Sequence, residues 1–437
     1  MADSSQTMQI LRSLELGLTT GLPEAIVNDL ALLGQRFKIA SEVQVALEAG
    51  ALDRLRSLLL ANVDSVTKGV AQTLAEAVPT LCRCGDTSAK VIQQVEVLLI
   101  FLRDNFLAVP ERVSCADDVF RSMLRATEGP PALRGVVLNV FPLNRWSDLN
   151  FKRFSATAAD ELADTINNLS DRGGVNLSPE EVLEVLGLIA DHPKARCRTV
   201  AKICLRAAKL LNVPDSLSLL RFIVTTRLVG GLMFHLNMNA SGCRGMCTRE
   251  TLALSVRLVS HDEDTNSRMV CQGLLNIVGS IIEGTTPGDL HCEALEVLLR
   301  CIANGSSMLD AVQNHLLLNH AVVCASGGSA KLRSKANEVY MEFLKQAKAH
   351  HFMRAMEDAL FSNIAFFLRK ELTVESQILL LTFVQKTLEK SVEINKERQV
   401  KDNMHHHSLH MIIPPLMSSS NAQVKNLATI INSRLSA

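Results

Sequence analysis

Six cationic side chains in one stretch of the chain have the residue types and spacing of an anion-binding surface. They are Lys194, Arg196, Arg198, Lys202, Arg206 and Lys209. No acidic residue occurs between Asp191 and Asp215. Because Arg198, Lys202 and Arg206 recur every four residues, a helix would place these three in one stripe. Arginine can hold a carboxylate through two parallel hydrogen bonds, whereas lysine contributes a less directional charge.

Two interpretations of this cationic stripe remain open. In the first, the stripe binds an acidic group of a partner, with Arg196, Arg198, Lys202, Arg206 and Lys209 as the candidate residues. In the second, it is a solvated helix face whose charges meet acids of neighbouring helices, such as Glu180, Glu181 and Glu184, because charge runs on helices are commonly soluble surface.

Four other clusters contain metal-binding residue types in incomplete patterns. Asp262, Asp264 and Asn266 imitate the start of a calcium loop, but the glycine position holds Ser267 and the twelfth position holds Gly273. The pairs Cys82/Cys84 and Cys243/Cys247 do not have the spacing of two cysteines separated by two residues, and the run His405 to His407 has no complete ligand set beside it. We therefore predict no metal site and no cofactor, while Cys243/Cys247 and His405–His407 stay open as alternatives.

Motifs of the common enzyme classes are absent from the sequence. It contains no Gly-x-x-x-x-Gly-Lys-Ser/Thr phosphate loop, no His-Glu-x-x-His zinc motif and no Gly-x-Ser-x-Gly nucleophile turn. The prediction is a protein that is not an enzyme. An enzyme with an unrecognised site stays an alternative.

Composition narrows the class of partner. The 437 residues include 45 Lys plus Arg against 45 Asp plus Glu, and aromatic residues make up only 4%. A neutral chain poor in aromatic residues has neither the basic field nor the stacking side chains typical of nucleic-acid binding, so nucleic acid ranks below protein as a partner. No run of 18 apolar residues indicates a membrane span.

The first residues and the cysteines favour a cytoplasmic location. Met1 to Ser5 carry neither the basic nor the apolar part of a secretory signal. The chain has 11 cysteines, an odd number, and most fall within apolar helical patterns. We expect four of them to behave as small buried hydrophobic residues: Cys204, Cys271, Cys292 and Cys301.

Apolar residues recur at three and four positions throughout, which predicts an all-α protein. Ser178-Pro179-Glu180-Glu181 is a capping box that opens a helix. Glycine and proline clusters, such as Val229-Gly230-Gly231 and Pro414-Pro415, are predicted to separate helices. The final helix, Asn421 to Leu435, would cap the array.

One stretch shows a complete repeating unit of three helices. Ser41 to Gly50 reads as a short helix with a small-residue end, Ala51 to Leu60 as a second helix, and Ser65 to Val78 as a third. This unit resembles an armadillo repeat, in which Leu47-Glu48-Ala49-Gly50-Ala51-Leu52 matches the small-residue turn after the first helix. Similar units recur at His291 to Leu344 and, more loosely, from Leu252 to Ile282.

The resemblance implies the architecture. Units of about 40 residues cannot bury their apolar faces alone, so roughly ten of them would stack into a right-handed superhelical solenoid of armadillo/HEAT-like repeats. We predict N-terminal armadillo-like repeats over 1–114, a degenerate repeat or hinge over 115–174, and C-terminal armadillo-like repeats over 175–437 with a charged, histidine-containing loop at about 390–410. A globular helical bundle is the alternative fold.

The resemblance also implies a function. Armadillo proteins hold extended or acidic partner segments in a concave groove, so the cationic stripe would lie in that groove and bind an acidic or C-terminal segment of another protein. Asp289 to Val297, followed by Ile302-Ala303-Asn304, is similar to a segment of the non-ATPase class of proteasome regulatory-particle assembly chaperones. We therefore predict a protein-binding scaffold, adaptor or assembly chaperone. Myosin-directed armadillo-type chaperones and nucleic-acid-binding helical repeat proteins are the alternatives, and the oligomeric state stays undetermined.

Overall fold

The computed structural model describes residues 4–20, 22–109, 112–142, 151–171, 178–211, 219, 227–240, 246–259, 273–283, 288–304, 306–314, 316–327, 329–357 and 360–436. These residues form 24 α-helices and no strand. The predicted all-α class is confirmed.

The chain divides into two compact units. The first comprises Met1–Arg206 with Thr226–Leu228, and the second comprises Ala207–Thr225 with Val229–Ala437. The boundaries predicted at residues 114 and 174 stay predictions.

Eleven helices precede residue 211. They are α1 Ser4–Thr20, α2 Pro23–Arg36, α3 Ala40–Glu48, α4 Ala51–Leu60, α5 Asp64–Arg83, α6 Ala89–Leu102, α7 Val113–Ala126, α8 Pro131–Val140, α9 Ala156–Asp171, α10 Pro179–Ala190 and α11 Cys197–Leu210. A short π-helical segment, Arg103–Leu107, continues α6, and a 3-10 turn, Phe151–Arg153, precedes α9.

Thirteen helices follow. They are α12 Arg227–Ala240, α13 Met246–Val259, α14 Leu274–Glu283, α15 Gly288–Ala303, α16 Ser306–Asn314, α17 Leu317–Gly327, α18 Ala330–Gln346, α19 Ala349–Glu357, α20 Leu360–Leu368, α21 Val374–Glu393, α22 Glu397–His406, α23 Leu409–Leu416 and α24 Ala422–Ser436.

The unit predicted from Ser41 to Val78 is confirmed as α3, α4 and α5. Gly50 adopts φ +76° between α3 and α4, a left-handed conformation that glycine reaches without a steric penalty. The third helix runs further than predicted, through Pro79 to Arg83, because nearly the whole segment from Val70 to Cys82 is buried against neighbouring helices.

Helix packing in the second unit repeats with a period of three helices. First helices α16, α19 and α22 contact one another in order, as do second helices α14, α17, α20 and α23. Third helices α13, α15, α18, α21 and α24 form the remaining row. Each triplet has two short helices and one longer helix, which is the arrangement of an armadillo repeat and confirms an all-α solenoid.

A corresponding row of third helices, α2, α5, α7 and α9, runs through the first unit. Hydrogen bonds between neighbouring helices of such a row join residues one repeat apart. The separations are 43 positions for Thr73 and Leu30, 47 for Ser122 and Ala75, 39 for Lys335 and Glu296, and 47 for Tyr340 and Thr387. This period agrees with the unit length predicted from the sequence.

The core between third helices α18 and α21 shows how apolar and polar contacts fix the register of neighbouring repeats. Tyr340, the one tyrosine in the chain, is fully buried and stacks on Phe383 with ring centroids 4.0 Å apart. Its hydroxyl lies 2.6 Å from Thr387 Oγ1, so the buried polar atom is satisfied.

Local predictions had mixed outcomes. The capping box at Ser178 is formed, because the Ser178 hydroxyl accepts from Glu181 N–H and the Glu181 carboxylate accepts from Ser178 N–H. The predicted break at Val229-Gly230-Gly231 is wrong, since α12 runs through it. Burial of Leu228, Val229 and Leu232 offsets a cost of about 1 kcal/mol for each helical glycine.

The C-terminal part corrects one further prediction and confirms two. Most of the expected loop at about 390–410 is helical, because buried Val400 and Met404 anchor α22 at i, i+4 spacing. Pro414 and Pro415 lie in the last turn of α23, just before the predicted break between α23 and α24. The final helix is confirmed as α24, with Val424, Leu427, Ala428 and Ile431 buried.

Candidate functional site

A cleft opens between third helices α2, α5 and α7 of the first unit. Its volume is about 560 Å³. The floor lies where α2 and α5 approach closely. A Cβ atom on Gly69 would come within 2.9 Å of Leu30 Cδ1, and the Thr73 hydroxyl donates to the Leu30 carbonyl at 2.9 Å. A small residue and a helix-to-helix hydrogen bond therefore set the depth of this cleft.

Polar side chains line the walls of the cleft. Gln35 lies in the last turn of α2 and Lys38 just after it, while Lys68, Gln72 and Glu76 recur every four residues along α5. Gln35, Lys38, Lys68 and Gln72 are exposed. Side-chain amides both donate and accept hydrogen bonds, as an extended peptide backbone requires. The sequence reasoning missed this cleft, although the spacing of Lys68, Gln72 and Glu76 was a visible signal.

A second cleft of about 590 Å³ shares Lys38 and Glu76 with the first. Its other lining residues include Thr80 and Arg83, which continue along α5. One face of α5 thus lines both clefts over most of the length of the helix.

The cationic stripe predicted on α11 is divided in the structure. Arg196 forms an ion pair with Asp160 at 2.9 Å, and Lys202 pairs with Asp164. Arg206 is buried, with 8% of its surface exposed. Arg198 and Lys209 are exposed and have no acidic partner within ion-pairing distance among the described residues.

The acids that meet this stripe belong to α9. Sequence reasoning expected Glu180, Glu181 and Glu184, the nearest acids on the preceding helix. The side-chain contacts of α11 are instead with α9, so α11 continues the row of third helices and faces acids one repeat back along the chain. Glu181 is already engaged in the capping box of α10.

The electrostatics of Asp160 reflect its partly enclosed position. Burial raises the pKa of Asp160 above its ordinary value, although nearby Arg196 and Lys202 act in the opposite direction. The Thr199 hydroxyl also donates to the Asp160 carboxylate. Part of the cationic charge of α11 is therefore used within the protein.

Other third helices carry comparable pairs. Arg121 on α7 donates two hydrogen bonds, of 3.0 and 2.7 Å, to Glu161 Oε1 on α9. On α15 and α18, Glu296 accepts from Lys335 at 2.7 Å. Acid–base pairs between neighbouring third helices thus recur in both units.

The remaining candidate residues have simpler environments. Cys204, Cys292 and Cys301 are buried, as predicted, and Cys271 lies outside the described residues. Burial raises the pKa of the Cys82 thiol to about 12, which suppresses the reactive thiolate. Three features of the sequence lie outside the described residues or side chains: the calcium-like segment from Asp262, the Cys243/Cys247 pair and Trp146.

The run from His405 to His407 ends α22 and lies partly on its surface. His405 and His410 stack with ring centroids 4.5 Å apart, and His405 Nδ1 lies 2.8 Å from the Lys401 carbonyl oxygen. Among the described residues, no group of three metal-ligand side chains includes this run. In the part of the chain that the structure describes, no helix is both long enough and apolar enough to cross a membrane.

No family model and no curated protein sequence matches this chain. Among solved structures, an engineered protein is 13% identical, with 98% of this chain and 99% of that chain covered and a TM-score of 0.38. A designed armadillo repeat protein is 10% identical, with 63% and 99% covered and a TM-score of 0.36. Another, in complex with the peptide (KR)4, is 10% identical, with 63% and 99% covered and a TM-score of 0.37. The fold assignment rests on the helix packing described above.

Proposed function

We propose that this chain is a non-enzymatic scaffold that binds another protein along its third helices, as an adaptor or assembly chaperone. The observation that carries the proposal is the cleft between α2, α5 and α7. It combines a floor set by closely packed helices with exposed amide and charged side chains. A partner segment lying there would find hydrogen-bonding groups for its backbone and charges for its side chains.

The exposed cations of α11 supply a second element of the proposal. Arg198 and Lys209 are available to an acidic or C-terminal partner segment, whereas Arg196 and Lys202 already pair with acids and Arg206 is buried. Of the five residues predicted from the sequence, Arg198 and Lys209 are therefore those that we assign to partner contact. A role in proteasome assembly is supported by the short sequence resemblance around Asp289 to Val297 alone.

Affinity capture from cytosolic extract, followed by mass spectrometry, tests the proposal with three variants. The cleft variant is Lys68→Glu/Gln72→Ala, and the cation variant is Arg198→Glu/Lys209→Glu. The control, Arg369→Glu/Arg398→Glu, makes the same change of charge as the cation variant at exposed positions outside the third helices. Because all these side chains are exposed, thermal midpoints should stay close to that of the wild type.

We expect the cleft variant to lose a protein that both the wild type and the control retain. Loss of the same protein from the cation variant would show that the acidic-segment proposal also holds. If both test variants capture the same proteins as the control, the third helices do not bind the partner and the proposal is wrong.

A direct measurement tests the acidic chemistry. Fluorescence anisotropy with a labelled Glu- and Asp-rich peptide should show binding that weakens as salt rises, because exposed charge pairs are screened. The cation variant should bind this peptide at least about tenfold more weakly, since each lost charge-assisted hydrogen bond contributes about 1.5–3 kcal/mol. Equal binding by the cation variant and the control would exclude Arg198 and Lys209.

A further inference from the structure

Two first helices of neighbouring repeats bring together three side chains of the types that bind transition metals. Asp310 lies on α16, while His350 and His351 lie in the first turn of α19. One possible ligand atom from each residue lies within 4.8 Å of the other two. Two imidazoles with one carboxylate are a donor set suited to zinc and related divalent ions.

His351 has a buried nitrogen with unused bonding capacity. The residue is 2% exposed, and its Nε2 atom makes no hydrogen bond of acceptable geometry within the described residues. That atom lies 3.3 Å from Asp310 Oδ1. Because buried polar atoms nearly always have a partner, a buried nitrogen this close to a carboxylate without a hydrogen bond points to an ion bound by both.

His350 completes the arrangement. Its ring centroid lies 3.8 Å from that of His351, whereas its own side chain is exposed.

A competing contact exists at the other ring nitrogen. The backbone N–H of Lys348 donates to His351 Nδ1 at 3.4 Å, at the long end of the hydrogen-bonding range. Coordination through Nε2 would place the ring proton on Nδ1 and replace this bond. Losing this hydrogen bond would cost little because it is long. The hydrogen bond also gives no reason for the His350 ring to lie so close to the His351 ring.

The two helices that carry the three residues are held together independently. Arg354 on α19 donates to Asn314 Oδ1 on α16 at 2.6 Å, and the Gln313 side-chain amide donates to the His351 carbonyl. These contacts hold α16 against α19 and do not use the side chains of the three candidate ligands. Such support reduces the ordering that a bound ion would otherwise require.

We propose that Asp310, His350 and His351 form a zinc-binding site that links the first helices of two neighbouring repeats. His351 Nε2, one ring nitrogen of His350 and one Asp310 oxygen would coordinate the ion, and water would take the remaining position on the exposed side. An ion that binds only the folded state stabilises it, so zinc should raise the thermal midpoint. This site is independent of the proposed partner-binding surface.

Zinc titration of the full chain tests the site. The background protein carries His405→Asn/His406→Asn/His407→Asn, which removes a second source of imidazole. Zinc affinity is measured by competition with a chromophoric chelator, and the thermal midpoint is recorded with and without zinc. We expect one zinc ion per chain and a zinc-dependent rise in the midpoint. Mg²⁺ should produce no rise, because imidazole ligands do not suit it.

Asp310→Asn and His350→Asn, made in the same background, should each weaken zinc affinity about tenfold or more, since even outer contacts to metal ligands contribute that much. Both side chains are exposed, so folding should be preserved. Glu283→Gln is the matched control. It alters a carboxylate 3.4 Å from His320 Nε2 on second helices, a His–acid pair without a second imidazole.

The control should bind zinc as the background protein does. Two results would overturn the proposal: no zinc binding by the background protein, or equal zinc affinity in the background protein, Asp310→Asn and His350→Asn. Loss of cobalt(II) absorption bands in the same two variants provides a readout that does not depend on stability.

Discussion

Two charged interfaces between third helices use the same residue types with different results. On α9, Asp160 meets Arg196, which directly precedes α11, and Asp164 meets Lys202 of α11. On α15 and α18, Glu296 accepts hydrogen bonds from both Lys335 and Arg300, each at 2.7 Å. The first interface has cations left over, Arg198 and Lys209, whereas in the second the cations and acids are matched.

The pKa of the central acid separates the two interfaces further. The side chains of Glu296 and Asp160 are similarly enclosed, at 19% and 23% exposed. Burial alone would raise the pKa of Glu296, yet its hydrogen bonds from Lys335 and Arg300 lower it below the ordinary value. For Asp160, burial prevails and the pKa is raised. We infer that the matched interface stabilises the fold and that the unmatched one is available to a partner.

Lys335→Met should have the largest effect on stability. It removes the hydrogen bonds to Glu296 and Glu338. The partly buried Glu296 carboxylate then keeps Arg300 as its cationic partner. We expect a loss of about 2 kcal/mol in the free energy of unfolding, measured by urea denaturation. Lys345→Met is the control, because Lys345 is 71% exposed and its pair with Glu342 contributes little. Equal losses in both variants would contradict a stabilising role for the matched interface.

Acid should remove the advantage of the matched interface. Because the folded-state pKa of Glu296 is lowered, its contribution is fully present above the ordinary value of 4.5 and is lost as pH falls through the lowered value. The difference in unfolding free energy between wild type and Glu296→Gln should therefore be largest near neutral pH and shrink below 4.5. A difference that does not change between neutral and acidic pH would exclude an ionised Glu296 as its source.

The sequence predicted local features of the fold well because they depend on neighbouring residues. The capping box at Ser178 and the small-residue turn at Gly50 are both set within a few positions. Pairing between repeats is different. Arg196 meets Asp160, and His350 lies beside Asp310, across a whole repeat. A repeat period of about 40 residues has too much variation in loop length for the sequence to show which positions face one another.

Asp160→Asn should cost less than Lys335→Met, below about 1 kcal/mol, because its pair with Arg196 is largely exposed. Its pH dependence should have the opposite sign to that of Glu296. A raised folded-state pKa means that the contribution of Asp160 declines as pH rises above the ordinary value of 3.8. Urea denaturation at several pH values measures both slopes. Slopes of the same sign at Glu296 and Asp160 would remove the distinction between the two interfaces.

Arg198→Glu/Lys209→Glu should have the smallest effect on stability, within about 0.5 kcal/mol of the wild type, because both side chains are exposed and make no ion pair within the described residues. Lys202→Glu is the informative comparison on the same helix. It would place a carboxylate against Asp164 and should be clearly more destabilising, since like charges at contact repel. Thermal midpoints of the wild type, the double variant and Lys202→Glu, measured side by side, test this expectation. If the double variant loses as much stability as Lys202→Glu, Arg198 and Lys209 support the fold rather than a partner, and the unmatched charge of α11 has a structural explanation.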